Sequence, residues 1–191
     1  IARLAQLARR WVSFDFFSDA EIASLAELAQ AQTFRHAQSE IVHRKNRVFQ
    51  DFDVCFPAPR IGAFDQLAAS LETGLCAAGA ALPDNPFAAC FRLDDFAIQR
   101  YPAGSRGIGI HRDGKRYKHI VVIITLAGRS RLFSTATRDG LQRSRIDDRP
   151  GRLVLLSADG FAGRHDEDLR PLHGVDQVQD GRLSIGLRSF G

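Results

Sequence analysis

His111-Arg112-Asp113 puts an imidazole and a carboxylate two residues apart at the end of an apolar run. In an extended chain, side chains two apart point to the same face, so both groups reach one point. Such a pair is half of a metal site, and a third ligand must come from another strand. His173, in Arg170-Pro171-Leu172-His173-Gly174-Val175, is the natural candidate, because a short apolar and turn pattern then leads straight into a final strand. His165 competes for the same role, since it too lies between strands. Two neutral imidazoles and one carboxylate on one face of an octahedron leave the other positions for a chelating cosubstrate and dioxygen, the arrangement used by non-haem iron(II) oxygenases.

The last strand adds a second constellation. Arg182-Leu183-Ser184-Ile185-Gly186-Leu187-Arg188 alternates without interruption, with Arg182, Ser184, Gly186 and Arg188 on one face and Leu183, Ile185 and Leu187 on the other. If the polar face lined a barrel, two buried cations would need anionic partners, and a dicarboxylate could supply one at each end. Guanidinium groups grip carboxylates bidentately and stay charged. Ser184 can add a hydroxyl, and Gly186 leaves room between the arginines. Gln99 and Tyr101, also two apart on a predicted strand, could offer an amide and a phenol to the same ligand.

These side chains need a scaffold. Short β-type runs separated by Gly and Pro fill the second half of the chain: Phe96 to Tyr101, Ile108 to Asp113, His119 to Leu126, Arg131 to Thr135, Arg152 to Ser157 and Arg182 to Phe190. Ahead of them, Ser18 with Glu21 reads as a capping box, and Phe17 with Ile22 as a hydrophobic staple, for a helix reaching about Gln32. A second helix is predicted from about Ile61 to Ala78, with Phe64, Leu67, Leu71 and Leu75 on one side. Between the two, Phe34 to Pro57 is polar, with a basic middle of His43, Arg44, Lys45 and Arg47, and reads as irregular strands or a surface lid. Helices first and strands second, without regular alternation, predict helices packed on an antiparallel barrel or sandwich.

Composition narrows the class. At 45% hydrophobic and 25% charged over 191 residues, the chain reads as one globular unit. Its longest apolar stretch, Ile120 to Leu126, is too short for a bilayer, and charges run through the first residues, so a cytoplasmic location is expected. The lack of methionine implies that the native chain begins before Ile1. Cys55, Cys76 and Cys90 form no C-x-x-C pair and are expected to fill core space. The net charge of +4 is spread among acidic residues, a weak pointer to nucleic acid.

Taken in order, Gln99-x-Tyr101, His111-x-Asp113, a Val/Ile strand, a Pro150-Gly151 turn into Leu153 to Leu156, His173 and R-x-S-x-G-x-R resemble the AlkB-like branch of the iron(II)- and 2-oxoglutarate-dependent dioxygenases. The resemblance implies an α+β fold with a mainly β core, a double-stranded β-helix or jelly roll with flanking N-terminal helices. It would form a single domain, with helical support and lid over 1–90 and the β-helix over 91–191. It further implies Fe(II) on His111, Asp113 and His173, and 2-oxoglutarate on Gln99, Tyr101, Arg182, Ser184 and Arg188, with O2 as the oxidant. Two positions depart from the pattern: Gly186 stands where threonine is usual, and Lys115 where base-repairing members carry an acid. Lys115 favours hydroxylation of a small-molecule or amino-acid-like substrate over AlkB-type demethylation of nucleic acid. A non-catalytic binding module on the same fold is the reading from a different class.

Overall fold

In a computed structural model that describes residues 1–43, 46–87, 90–165 and 169–190, two antiparallel sheets face each other. The larger has the order β1 (Trp11–Asp15), β11 (Arg152–Ser157), β8 (Lys118–Gly128), β13 (Arg182–Ser189), β6 (Asp95–Tyr101), β5 (Asp53–Cys55) and β2 (Arg35–His36). The smaller runs β10 (Ser144–Ile146), β9 (Arg131–Thr135), β12 (Leu172–Asp176), β7 (Gly107–His111), β4 (Asn46–Asp51) and β3 (Glu40–His43). From β6 onward the chain winds between the sheets, with β6, β8, β11 and β13 on one and β7, the β9–β10 hairpin and β12 on the other. That winding is a double-stranded β-helix.

The inner strands of the large sheet are covered on both faces, which is why β8 and β11 read as nearly continuous apolar runs. Ile120, Val122, Ile124, Leu153, Leu155, Ile185 and Leu187 form one buried layer with Phe64, Leu71 and Leu75 of α3 (Ala63–Ala80) and Ile22 and Leu25 of α2 (Asp19–Gln30). The alternate residues Val121, Val154 and Leu156 turn inward and meet Leu132, Ile146 and Val175 inside the barrel. Phe64 meets Phe96 edge to face, at 5.1 Å between centroids, locking α3 to β6.

A local signal accounts for the start of α2. Ser18 accepts from Glu21 N at 3.3 Å and Glu21 Oε2 accepts from Ser18 N at 2.8 Å, the reciprocal capping box read from sequence. The 34–57 segment forms β2 to β5, and β4 and β5 join the two sheets by pairing with β7 and β6. Arg44 and Lys45 of its basic stretch lie outside the described residues.

Three strands escaped the sequence reading. The edge strand β1 extends the large sheet through Trp11↔Leu156 to Asp15↔Arg152. Three-residue β10 and Gly-containing β12 are too short or too irregular for periodicity to register. Of the cysteines expected in the core, Cys55 is buried and Cys76 half-buried, whereas Cys90 is exposed on the segment after α3.

Candidate metal centre

His111 and His173 face each other across β7 and β12 as register partners, with ring centroids 4.3 Å apart. A bulge is responsible for this. Val175 pairs with Ile108, so two residues of β12 span three of β7. Ile108 packs toward the barrel interior, and strict alternation would turn His111 to the opposite face. The extra residue restores it to the interior side. The strands are close enough here to exclude other side chains: a Cβ on Gly107, whose φ is +85°, would fall 1.9 Å from Val175 O, and one on Gly174 would fall 2.9 Å from Ile108 O.

β7 ends at His111, and Asp113 lies just past the strand rather than on it. Its carboxylate still reaches the imidazoles. One ligand atom from each of His111, Asp113 and His173 lies within 4.8 Å of the others, and His173 Nε2 is 3.4 Å from Asp113 Oδ2. Each imidazole is braced on the carbonyl two residues before it: His111 Nδ1 to Gly109 O at 2.8 Å, and His173 Nδ1 to Pro171 O at 3.1 Å. A carbonyl only accepts, so these contacts place the proton on Nδ1 and leave the Nε2 lone pairs for a cation, the usual outer support of a histidine ligand. The donor set fits a metal with nitrogen and oxygen preference.

Asp113 is fixed as firmly. Arg188 Nε donates to Oδ1 at 3.0 Å and Arg170 Nη1 donates to the backbone carbonyl at 2.6 Å, leaving Oδ2 turned toward the histidines. Burial alone would raise this carboxyl, but Arg188 and then the two histidines outweigh it and hold it at about 2. Burial, reinforced by His173, pushes His111 down to about 4. Both groups are therefore ligand-ready at neutral pH, without a proton to displace.

The two shifts make the metal-free protein acid-sensitive. An unfolded histidine protonates near 6.5 while His111 stays neutral to about 4. Between those values the unfolded state binds more protons and gains on the folded one. Asp113 acts in the same sense between 3.8 and about 2, where its ionised form stabilises only the fold. We expect the melting temperature of the metal-free protein, followed by circular dichroism, to hold above pH 7 and fall steadily from pH 6.5 to 4. The His111 contribution is on the order of 3 kcal/mol. A midpoint that does not move over that range would contradict a neutral His111.

The remaining expected site residues line one inner face. Register pairs Arg182↔Tyr101, Ser184↔Gln99 and Arg188↔Asp95 set β13 against β6. Tyr101 Oη donates to Gln99 Oε1 at 3.3 Å, and burial pushes its hydroxyl well above the usual value. The arginines do not wait for an external anion, which corrects the charge argument made from sequence. Arg188 Nη1 donates to Asp95 Oδ1 at 3.0 Å in addition to holding Asp113, and Tyr117 Oη donates to Asp95 Oδ2 at 2.9 Å. Arg182 is bonded to Asp148.

Sequence reasoning missed both acids. Asp95 could have been found by running the Gln99 and Tyr101 alternation back along β6, whereas Asp148 sits in the turn before β11, where no periodicity points inward. His165, the competing third ligand, stands apart from the triad, exposed, with Nδ1 3.5 Å from Asp159 Oδ1. Lys115 is exposed in the turn after Asp113.

No protein-family model matches the sequence, and no curated protein matches it. Solved structures do match the fold. A Pseudomonas putida prolyl-4-hydroxylase aligns over 98% of both chains, with a TM-score of 0.66 and 19% identity. The viral collagen prolyl hydroxylase of Paramecium Bursaria Chlorella virus-1, solved as a 2OG complex, aligns over 95% of this chain and 96% of its own, with a TM-score of 0.66 and 14% identity. OsALKBH1 aligns over 96% of this chain and 100% of its own, with a TM-score of 0.67 and 14% identity. At such identities the likeness is one of fold, and it covers the N-terminal helices as well as the β-helix.

Proposed function

We propose that this chain is an Fe(II)- and 2-oxoglutarate-dependent dioxygenase that hydroxylates a C–H bond of a small-molecule or amino-acid-like substrate, releasing succinate and CO2. The observation that carries the reading is the meeting of two carbonyl-braced imidazoles and one arginine-held carboxylate inside the barrel mouth. His111 and His173 would hold iron through Nε2, and Asp113 through Oδ2. Bound there, iron(II) supplies the dioxygen chemistry that couples decarboxylation of 2-oxoglutarate to substrate oxidation.

The chain's own residues do the positioning. Arg188 keeps Asp113 ionised and occupies Oδ1, which would leave Oδ2 for the metal. Arg182, Ser184, Tyr101 and Gln99 form the inner wall on which 2-oxoglutarate would lie, while Val121, Val154 and Leu156 keep the neighbouring interior apolar and dry. A cytoplasmic location goes with this reading. Among the described residues no helix is long and apolar enough to cross a membrane.

Substrate class rests on what flanks the triad. Lys115, where an acid would face a base in the AlkB-like branch, favours a small or amino-acid-like substrate, and two of the fold relatives are prolyl hydroxylases. AlkB-type demethylation is the second reading, favoured by the R-x-S-x-G-x-R spacing that brings Arg188 onto Asp113 and by the likeness to OsALKBH1.

Succinate formation from 2-oxoglutarate, measured with and without Fe(II) against amino acids, peptides and methylated oligonucleotides, tests the assignment. Iron-dependent succinate stimulated by amino acids or peptides is expected. Stimulation only by oligonucleotides, with binding that weakens steeply with salt, would select the second reading. A protein that neither binds iron nor forms succinate is a binding module.

A further inference from the structure

Arg182 stands at the opposite end of the β13 inner face from Arg188, and its side chain is 2% exposed. Its Nη1 already has two partners, Asp148 Oδ2 and Ser130 Oγ, the latter at 3.0 Å. Asp148, itself 5% exposed, also accepts from Thr125 Oγ1 at 3.0 Å, so β13 and β8 both hold the carboxylate in place. Arg182 Nε is buried and without a hydrogen-bond partner. Nη1 of the guanidinium is thus committed to the protein, and Nε has no protein acceptor.

The charge at this end of the barrel is already balanced. A dicarboxylate is normally favoured in such a site because a shorter-charged analogue would strand a buried cation. Here an analogue with an uncharged far end leaves Arg182 still paired with Asp148. A ligand carboxylate would gain the Nε edge but would also approach the negative charge of Asp148, and the two effects oppose each other.

We propose that Asp148 is a resident counter-ion that relaxes cosubstrate selectivity, so that the barrel accepts 2-oxo acids with an uncharged far end nearly as well as 2-oxoglutarate. The proposal rests on the reading of this face as the 2-oxoglutarate site. Asp148 acts through Arg182 and is a positioning residue.

Two acids of equal length isolate the effect: 2-oxoglutarate, and 2-oxopentanoate, which ends in a methyl group. Their binding to the Mn(II)-loaded protein is measured by calorimetry, which needs no turnover. A buried polar group left unpaired by an analogue usually produces discrimination of about 10,000-fold or more. We expect the two dissociation constants to differ by less than about 30-fold in the parent, and the preference for 2-oxoglutarate to rise at least ~10-fold in Asp148→Asn, where the ligand becomes the only counter-charge for Arg182. Ser130→Ala, which removes a neutral partner of the same nitrogen, should leave the ratio unchanged.

Parent discrimination above that limit overturns the proposal, as does an unaltered ratio in a folded Asp148→Asn. If that variant does not fold, the parent ratio alone decides. Failure of both acids to bind the metal-loaded protein overturns the 2-oxoglutarate reading itself, an outcome distinct from strong binding of one acid and not the other.

Discussion

Iron-dependent succinate formation is expected to fall by more than about 100-fold in Asp113→Ala, since loss of outer-shell support alone costs a metal site about 10- to 100-fold. The carboxylate supplies the only negative charge among the three ligand side chains, and its removal leaves two neutral imidazoles that bind a divalent cation weakly. The fold should survive, because Arg188 retains Asp95 at 3.0 Å when Asp113 is gone. His173→Ala should behave similarly, whereas His165→Ala should keep parent activity, since His165 is exposed and paired with Asp159. Metal content measured beside turnover makes the comparison decisive. A folded Asp113→Ala protein that binds iron and forms succinate at the parent rate would refute the triad.

The second large effect is on stability. Arg188→Met removes the shared counter-ion of two acids, Asp95 with a 1% exposed side chain and Asp113 with an 11% exposed one. Deleting one partner of a buried ion pair costs about 3–5 kcal/mol, because the remaining charge stays out of water without compensation. Tyr117 Oη still donates to Asp95, and Arg116 lies 4.0 Å away, but Arg116 is largely exposed and well screened. Urea titration should therefore show a loss of about 3–5 kcal/mol in Arg188→Met, and partial recovery in the double variant with Asp95→Asn, whose amide does not need a cation. A loss below about 1 kcal/mol would mean that water reaches Asp95 and that the inner face is wetter than its burial indicates.

The role of Arg188 shows how a correct residue can be chosen for an incomplete reason. From sequence, its inward direction follows from period-two alternation along β13, and an external dicarboxylate is the obvious partner for a buried cation. The structure instead supplies Asp95 from β6 and Asp113 from the loop after β7. Neither contact is local, being 93 and 75 residues distant in sequence, so no pattern within a strand could disclose it. The same holds for Asp148 and Arg182, 34 residues apart and brought together only when the turn before β11 folds over the barrel end.

What the amino-acid order determined unaided is whatever depends on neighbours a few residues away. The capping box of α2, the apolar stripe of α3 and the two-faced alternation of β13 are all legible because helix and strand geometry repeat at fixed short periods, while His111 and Asp113 are close simply because they are two residues apart. Tertiary structure alone decided the rest: that His173 and not His165 meets them, that a one-residue bulge in β7 turns His111 inward, and that both inner arginines carry resident carboxylates. Those outcomes depend on which strands become neighbours and in which register, and register is set by the burial of whole faces and the close approach of glycines, energies that no single segment contains.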